Sequence, residues 1–424
     1  MNSANKFNKS DYKFLFFFLI LFLTPYFCYV FLSLSSISMP LFIITIIYCS
    51  LHLRDIFNIK IEDKTYSIIL IFILYIFIRT LNDYFFNFEN KPIKAVPLFL
   101  TFLLSFIIYN YINESTFSKV NRIFFIFFTI LSSFAWLDFF YHVSLFNFSN
   151  RPASIFPFVE PSHFALVYGM IGLPLILDKS LKVNFFLITN YVFFSINLPS
   201  TTLSLFFILT LILFIIKKEN KLQNIFGITI FLLIIIFFFK SYLNISYFES
   251  RLGTGNFESD DVFNWTRMVY LQGWELMKVN LLSTNFLGLG YQMMGSAQTA
   301  TGDISKAIFE FSGQFGKNIA DGSFIMSKLV SEFGIIGIFI TFIYIKFIFN
   351  FFLNFNKKYL KVITEKDLIK KELLQKDIFC NVIILSFSIN FVFRGINYFT
   401  PQSILLVAAI IFVTKNKEKI KNYI

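Results

Sequence analysis

The segment RPASIFPFVEPSHFA, residues 151–165, gathers Arg151, Glu160 and His163 into one short window of a chain otherwise dominated by Phe, Ile and Leu. These residue types together can hold an anion and move a proton. A guanidinium stays charged and offers a planar fork of donors to phosphate or carboxylate, while a carboxylate or an imidazole can exchange protons. Glu160, Pro161 and Ser162 directly precede an apolar run, and proline suits a first helical position because its missing N–H would be an orphan there. A helix N-terminus presents free N–H groups and partial positive charge, which fit either the Glu160 carboxylate as a cap or the phosphate of a ligand. The plainer expectation is a capping Glu160 with a solvated His163.

Two later stretches add to this set. NIADGSFIMSKLVSEFGIIG, residues 318–337, has Asp321 where an N-cap would sit, then a helical pattern, then Gly334 and Gly337. Lys328 and Glu332 are spaced i,i+4, as a simple ion pair would be. RGINYFTP, residues 394–401, contributes Arg394 and Tyr398.

The elements that position these residues follow from composition. Of 424 residues 56% are hydrophobic and 15% charged, against roughly a quarter charged in soluble domains, so the expectation is an integral membrane protein, all-α, with 1–424 as one polytopic domain. The first apolar run, Phe14 to Leu34, follows Lys6, Lys9 and Lys13 like a signal peptide. It is too long for a signal core and lacks a small-x-small cleavage site, so it is read as the first transmembrane helix. Twelve apolar spans are expected near 14–34, 37–53, 65–81, 95–112, 122–142, 162–178, 183–198, 200–216, 223–241, 333–353, 378–396 and 400–414, each helical because irregular backbone cannot face lipid.

With the N-terminus inside, 24 of the 37 basic residues fall on the cytoplasmic side, including seven lysines in 354–377 and four from Lys415 to Lys421. That asymmetry accounts for the net charge of +12 without nucleic acid, and puts both termini in the cytoplasm. Residues 143–161 and the long connection 242–332 then lie on the outer side, while 354–377 reads as a lysine-rich cytoplasmic loop, a solvated linker that is amphipathic or simply charged. Lysine dominates inside, yet five of the seven arginines, Arg79, Arg151, Arg251, Arg267 and Arg394, fall outside. An anion on the outer side would account for that reversal. Cys28, Cys49 and Cys380 sit in apolar runs without metal or redox spacing, and His52, His142 and His163 are scattered. No metal-binding or nucleotide-binding motif appears, so neither a metal nor a cofactor is expected.

Taken together, FVEPSHFA, an arginine ahead of the NFLGLG turn, DGSFIMSKLVSEFGIIG leading into a helix, and FRGINYFTP near the end resemble the O-antigen polymerase family (Wzy type). More distantly the chain resembles the O-antigen ligases of the same superfamily. The likeness extends through the topology and the long outer loop to essentially the whole chain. It implies an inverting glycosyltransferase of the bacterial inner membrane, in which a glycan on undecaprenyl diphosphate is the donor and a second lipid-linked repeat unit supplies the attacking hydroxyl. It also implies membrane lipid, a chain-length regulator and a flippase as partners. On this resemblance Arg151, Arg251, Arg267 and Arg394 bind diphosphate or developing charge, Glu160 orients an arginine or acts as base, and His163 and Asp321 are the other candidate bases. Ligases typically carry a histidine where this chain has Asp321, which favours polymerase over ligase. A lipid-linked oligosaccharide flippase is the alternative from another class, but it would line a path through the bundle with charge, and these spans are almost uncharged.

Overall fold

The computed structural model describes residues 7–32, 34, 36–51, 64–87, 95–141, 154–178, 180–198, 200–217, 265–313, 318–395 and 397–421, and the regular structure among them is entirely helical. The first half comprises α1 (Lys9–Phe31), α2 (Ser38–Leu51), α3 (Lys64–Asn87), α4 (Val96–Glu114), α5 (Phe117–Tyr141), α6 (Pro161–Gly172), α7 (Leu181–Asn197) and α8 (Thr201–Lys217). A 3-10 turn, Leu173–Leu177, continues α6. The second half comprises α9 (Trp265–Ser283), α10 (Asp303–Ser312), α11 (Ile325–Phe333), α12 (Ile335–Thr364), α13 (Leu368–Val392), α14 (Pro401–Lys415) and α15 (Lys417–Lys421). Eleven of the twelve expected apolar spans coincide with helices, and the twelfth, 223–241, lies outside the described residues.

Among the described residues, α1, α4, α12 and the Phe117–Phe140 part of α5 are long and apolar enough to cross a membrane. The apolar helices Ser38–Leu51, Leu70–Leu81, Pro161–Leu177, Thr201–Lys217 and Pro401–Lys415 are shorter than the roughly 20 residues a perpendicular crossing needs. The architecture is thus an all-helical bundle of membrane-embedded character. Phenylalanine builds much of its interior: Phe18 packs against Phe124 and Phe127 at ring distances of 5.1 and 5.4 Å, and Phe124 meets Phe379 of α13 edge-on at 4.9 Å. Lipid tails are as apolar as these rings, so tight side-chain packing rather than water exclusion must hold such helices together.

One expected connection is corrected. Residues 354–377 are not a loop, because α12 runs to Thr364 and α13 begins at Leu368, leaving a turn of three residues between them. Asp367 caps α13 by accepting from the backbone N–H groups of Ile369 and Lys370, which lets the charged sequence stay helical. Within the long connection 242–332 the described residues form α9, α10 and most of α11, the last where a helical pattern is expected after Asp321.

Polar contacts distinguish the two ends of the bundle. At one end Asp11 accepts from the Tyr111 hydroxyl and pairs with Lys119, both at 2.9 Å. There too Lys376 donates to the Asn113 carbonyl at 3.0 Å, Lys358 pairs with Asp377 at 2.8 Å, and Lys217 caps the Ile176 and Asp178 carbonyls. The starts of α1 and α5 and the first half of α13 therefore share this end with the ends of α4, α8, α12 and the 3-10 turn after α6. The 25 residues of α13 span about 37 Å from this lysine-rich end to the other.

Helix α6 reaches toward that other end; it is buried from Phe164 to Gly172, while its first three residues are half-buried. Tyr191 of α7 donates to the Gly169 carbonyl at 3.2 Å, and a Cβ on Gly169 would collide with the Phe206 ring of α8. Gly169→Ala is expected to cost about 1 to 3 kcal/mol through overpacking, read as a fall in the melting temperature of the detergent-purified protein. An unchanged melting temperature would show that α6 and α8 can separate.

Candidate active site

Backbone geometry brings four segments together at the end of the bundle opposite the lysines. Pro161 occupies the first turn of α6, as its fixed φ favours, and the N-cap position falls on Glu160 in extended backbone. Glu160 nevertheless makes no capping hydrogen bond, which corrects the capping expectation. Its carboxylate turns instead to Arg394, with Oε2 accepting from Nη2 at 3.2 Å and from the Ser162 hydroxyl at 3.3 Å. The guanidinium stands 234 residues further along the chain, just beyond the end of α13.

His163 is the third residue of α6, within its first turn. Its Nε2 lies 3.8 Å from Glu160 Oε2, and its ring lies beside Tyr26 of α1 at 5.9 Å. The side chain is 14% exposed, so the solvated histidine expected from sequence is a packed one. Tyr26 is itself held by Phe158 at a ring distance of 4.6 Å, and its hydroxyl accepts from Gln402 of α14 at 3.3 Å.

Asp321 comes from the turn 318–324. Asn318, Gly322 and Ser323 adopt positive φ there, at 61°, 65° and 64°, a conformation costly for Asn and Ser and held by the surroundings. The N-cap of α11 is Phe324, so Asp321 lies three residues ahead of the cap position expected for it. Phe324 is fully buried against Tyr270 and Trp274 of α9, both at 5.4 Å, and Gly395 N–H donates to the Ser323 carbonyl at 3.1 Å. These contacts seat the turn against the Arg394 segment. Asp321 is exposed, yet the surrounding protein displaces enough water to push its carboxyl above the usual aspartate range. The positive charges of Lys328 and Arg394 act in the opposite direction, and the Glu160 charge adds to the rise.

Glu160, His163, Asp321 and Arg394 are thus brought into one site. Arg267 lies half-buried on bordering α9, one turn before Tyr270, whose ring stacks 6.3 Å from Phe393. Arg151 and Arg251 lie outside the described residues. Among the described residues no three His, Cys, Asp or Glu side chains converge closely enough to hold a metal ion.

Sequence reasoning missed the packed shell behind the site. Lys328, expected to pair with Glu332, has its Nζ 4.0 Å from that carboxylate and makes closer contacts elsewhere, to the Ala320 carbonyl at 2.8 Å and Gln292 Oε1 at 3.3 Å. Glu332 is buried with Oε1 accepting from Met294 N–H at 3.4 Å, and Tyr398 stacks on Tyr291 at 5.8 Å. The loop 284–302 reaches this shell by docking on the end of α11, where the carbonyls of Ser331 and Glu332 accept from Leu289 and Gly290, each at 2.9 Å. Gly288 at φ 81° allows that approach, since a Cβ there would meet the Glu332 carbonyl at 2.5 Å. The available signal was the placement of a lysine and a glutamate inside a helix whose other residues are apolar, serine or methionine.

Chemically, the arrangement offers a guanidinium held in place by a carboxylate, a second, exposed carboxylate with a raised pKa, and an imidazole beside them. Such a set can fix an anionic group and accept a proton from a hydroxyl. Compared with known protein families, curated proteins and solved structures, the chain has no match.

Proposed function

We propose that the protein is an O-antigen polymerase of the inner membrane, joining undecaprenyl-diphosphate-linked repeat units on the periplasmic side through a bundle of about twelve spans. The observation that carries the reading is the meeting of Glu160, Asp321 and Arg394, residues from three of the segments on which the family resemblance rests. The lysine-rich contacts gather at the other end of the same helices, which fits a cytoplasmic face there and a periplasmic site here.

In this reading Arg394 neutralises the diphosphate of the leaving lipid carrier. Glu160 holds the guanidinium in position through its contact with Arg394. Asp321, reachable and with a raised pKa, takes the proton of the attacking hydroxyl, while His163 supports Glu160. Because the leaving group is already activated, charge stabilisation and alignment are the main demands on the protein. The placement of the charged cluster at one end rather than along the bundle axis favours this reading over a flippase.

Deleting the gene and resolving the lipopolysaccharide by electrophoresis tests it. Lipid A core bearing a single repeat unit is the expected product, since export and ligation continue while extension stops. Core bearing no repeat unit would point instead to a ligase or a flippase.

A further inference from the structure

Lys328 lies in the shell behind the site, and its side chain is 3% exposed. A buried ammonium has three donors to satisfy, and here the acceptors come from three separate stretches of chain. They are the Ala320 carbonyl at 2.8 Å, Gln292 Oε1 at 3.3 Å and Asn397 Oδ1 at 3.4 Å. Gln292 Nε2 in turn donates to Asn397 at 3.1 Å, which closes the set, and the Tyr398 ring faces the ammonium at 5.4 Å. Glu332 supplies the balancing charge one turn away on α11.

Each tie ends next to the site. Ala320 immediately precedes Asp321, Asn397 follows Arg394 by three residues, and Gln292 belongs to the loop docked on α11. The stem of Lys328 also packs under the turn, where a Cβ on Gly322 would come within 3.0 Å of its own Cβ. An i,i+4 pairing with Glu332 would need none of this, and a lysine serving only as its counter-ion would not reach across to Ala320.

We propose that Lys328 is a positioning residue: its ammonium fastens the Asp321 turn to the Arg394 segment and thereby sets where Asp321 stands. Its catalytic meaning rests on the reading of Asp321 as the base, but its effect on Asp321 can be read without any activity. Among the described residues the charges acting on Asp321 are those of Lys328 of α11, Arg394 beyond α13 and Glu160 at the start of α6. Removing the first withdraws a positive charge that favours the carboxylate, so Asp321 holds its proton to higher pH.

The test uses the full chain in detergent. Lys328→Met alone leaves Glu332 buried without its counter-charge and risks misfolding, so the double variant Lys328→Met/Glu332→Gln removes the pair together. A water-soluble carbodiimide, which reacts with the protonated carboxyl, is applied across a pH series, and labelling of Asp321 is read by mass spectrometry. The labelling midpoint is expected to move to higher pH in the double variant and to stay near wild type in Lys328→Arg. Joining of undecaprenyl-diphosphate-linked repeat units by the same preparations is expected to fall about 10²-fold in the double variant, the scale set by an ångström of misplacement. A double variant with the wild-type melting temperature and an unmoved midpoint overturns the proposal. A moved midpoint in a protein whose wild type joins no repeat units upholds Lys328 as the setter of Asp321 and overturns the polymerase reading instead.

Discussion

Replacing Arg394 by alanine should reduce chain extension by about 10²- to 10³-fold, the scale lost when a preorganised group that stabilises developing charge is removed. Its partner Glu160 would then stand beside an incoming diphosphate with its negative charge uncompensated, which adds repulsion to the loss of attraction. Stability should change little. Both side chains are about 30% exposed, and an ion pair so placed contributes about 1 kcal/mol at most. Lysine at the same position keeps the charge but loses the planar fork, so Arg394→Lys should fall between alanine and wild type. The charge-exchanged double variant Glu160→Arg/Arg394→Glu separates function from packing. If the pair only ties α6 to the segment after α13, exchange restores extension; if Arg394 meets the diphosphate, the exchanged protein stays inactive at normal abundance. Glycan ladders on a gel, normalised to protein in the membrane, decide between the two, and long ladders from Arg394→Ala would remove it from the site.

The second large effect is expected at Asp321. Asp321→Asn should lower extension by about 10²- to 10⁴-fold, the range that general acid–base groups contribute. What distinguishes this prediction is the stability that accompanies it. Loss of surrounding water raises the Asp321 carboxyl in the folded protein, so the folded state binds its proton more tightly than the unfolded chain does. Such a group favours folding at low pH, and the contribution is lost as the pH rises from the ordinary aspartate range through the raised folded value. Above that window an ionised Asp321 opposes folding, and asparagine, which carries no charge, does not. At neutral pH Asp321→Asn should therefore melt no lower than wild type while losing activity, the pattern of a residue retained for chemistry at some cost to stability. For the wild type, extension should fail as the pH drops and Asp321 takes up its proton. A destabilised Asp321→Asn that still builds long chains would assign the residue a structural role and leave Glu160 and His163 as the remaining candidate bases.

Much of the helical layout was legible in the sequence because it follows from one-dimensional rules. Residues such as Phe14 to Phe31 and Ile335 to Leu353 are apolar for long enough that lipid forces their backbone to satisfy itself, and only a helix does so within one segment. Pro161 marked the start of α6 because its ring fixes φ locally. The same local logic misread 354–377, where lysine spacing suggested a solvated loop and a three-residue turn capped by Asp367 let both helices continue. Glu160 and Asp321 were both expected as caps, since composition near an N-terminus cannot distinguish a carboxylate that turns back to its own helix from one that reaches outward.

That choice was made by partners remote in the chain. Sequence alone determined the helical, membrane-embedded character of the protein, the segregation of its lysines, and a short set of candidate residues. The tertiary structure decided that Glu160 meets Arg394 rather than its own backbone, that His163 is packed rather than solvated, and that Lys328 reaches Ala320, Gln292 and Asn397 instead of pairing simply with Glu332. The physical reason is range: hydropathy and helix capping act within a few residues, whereas a charged side chain finds its counter-charge and donors wherever folding brings them, here across more than 200 positions of the chain for Glu160 and Arg394.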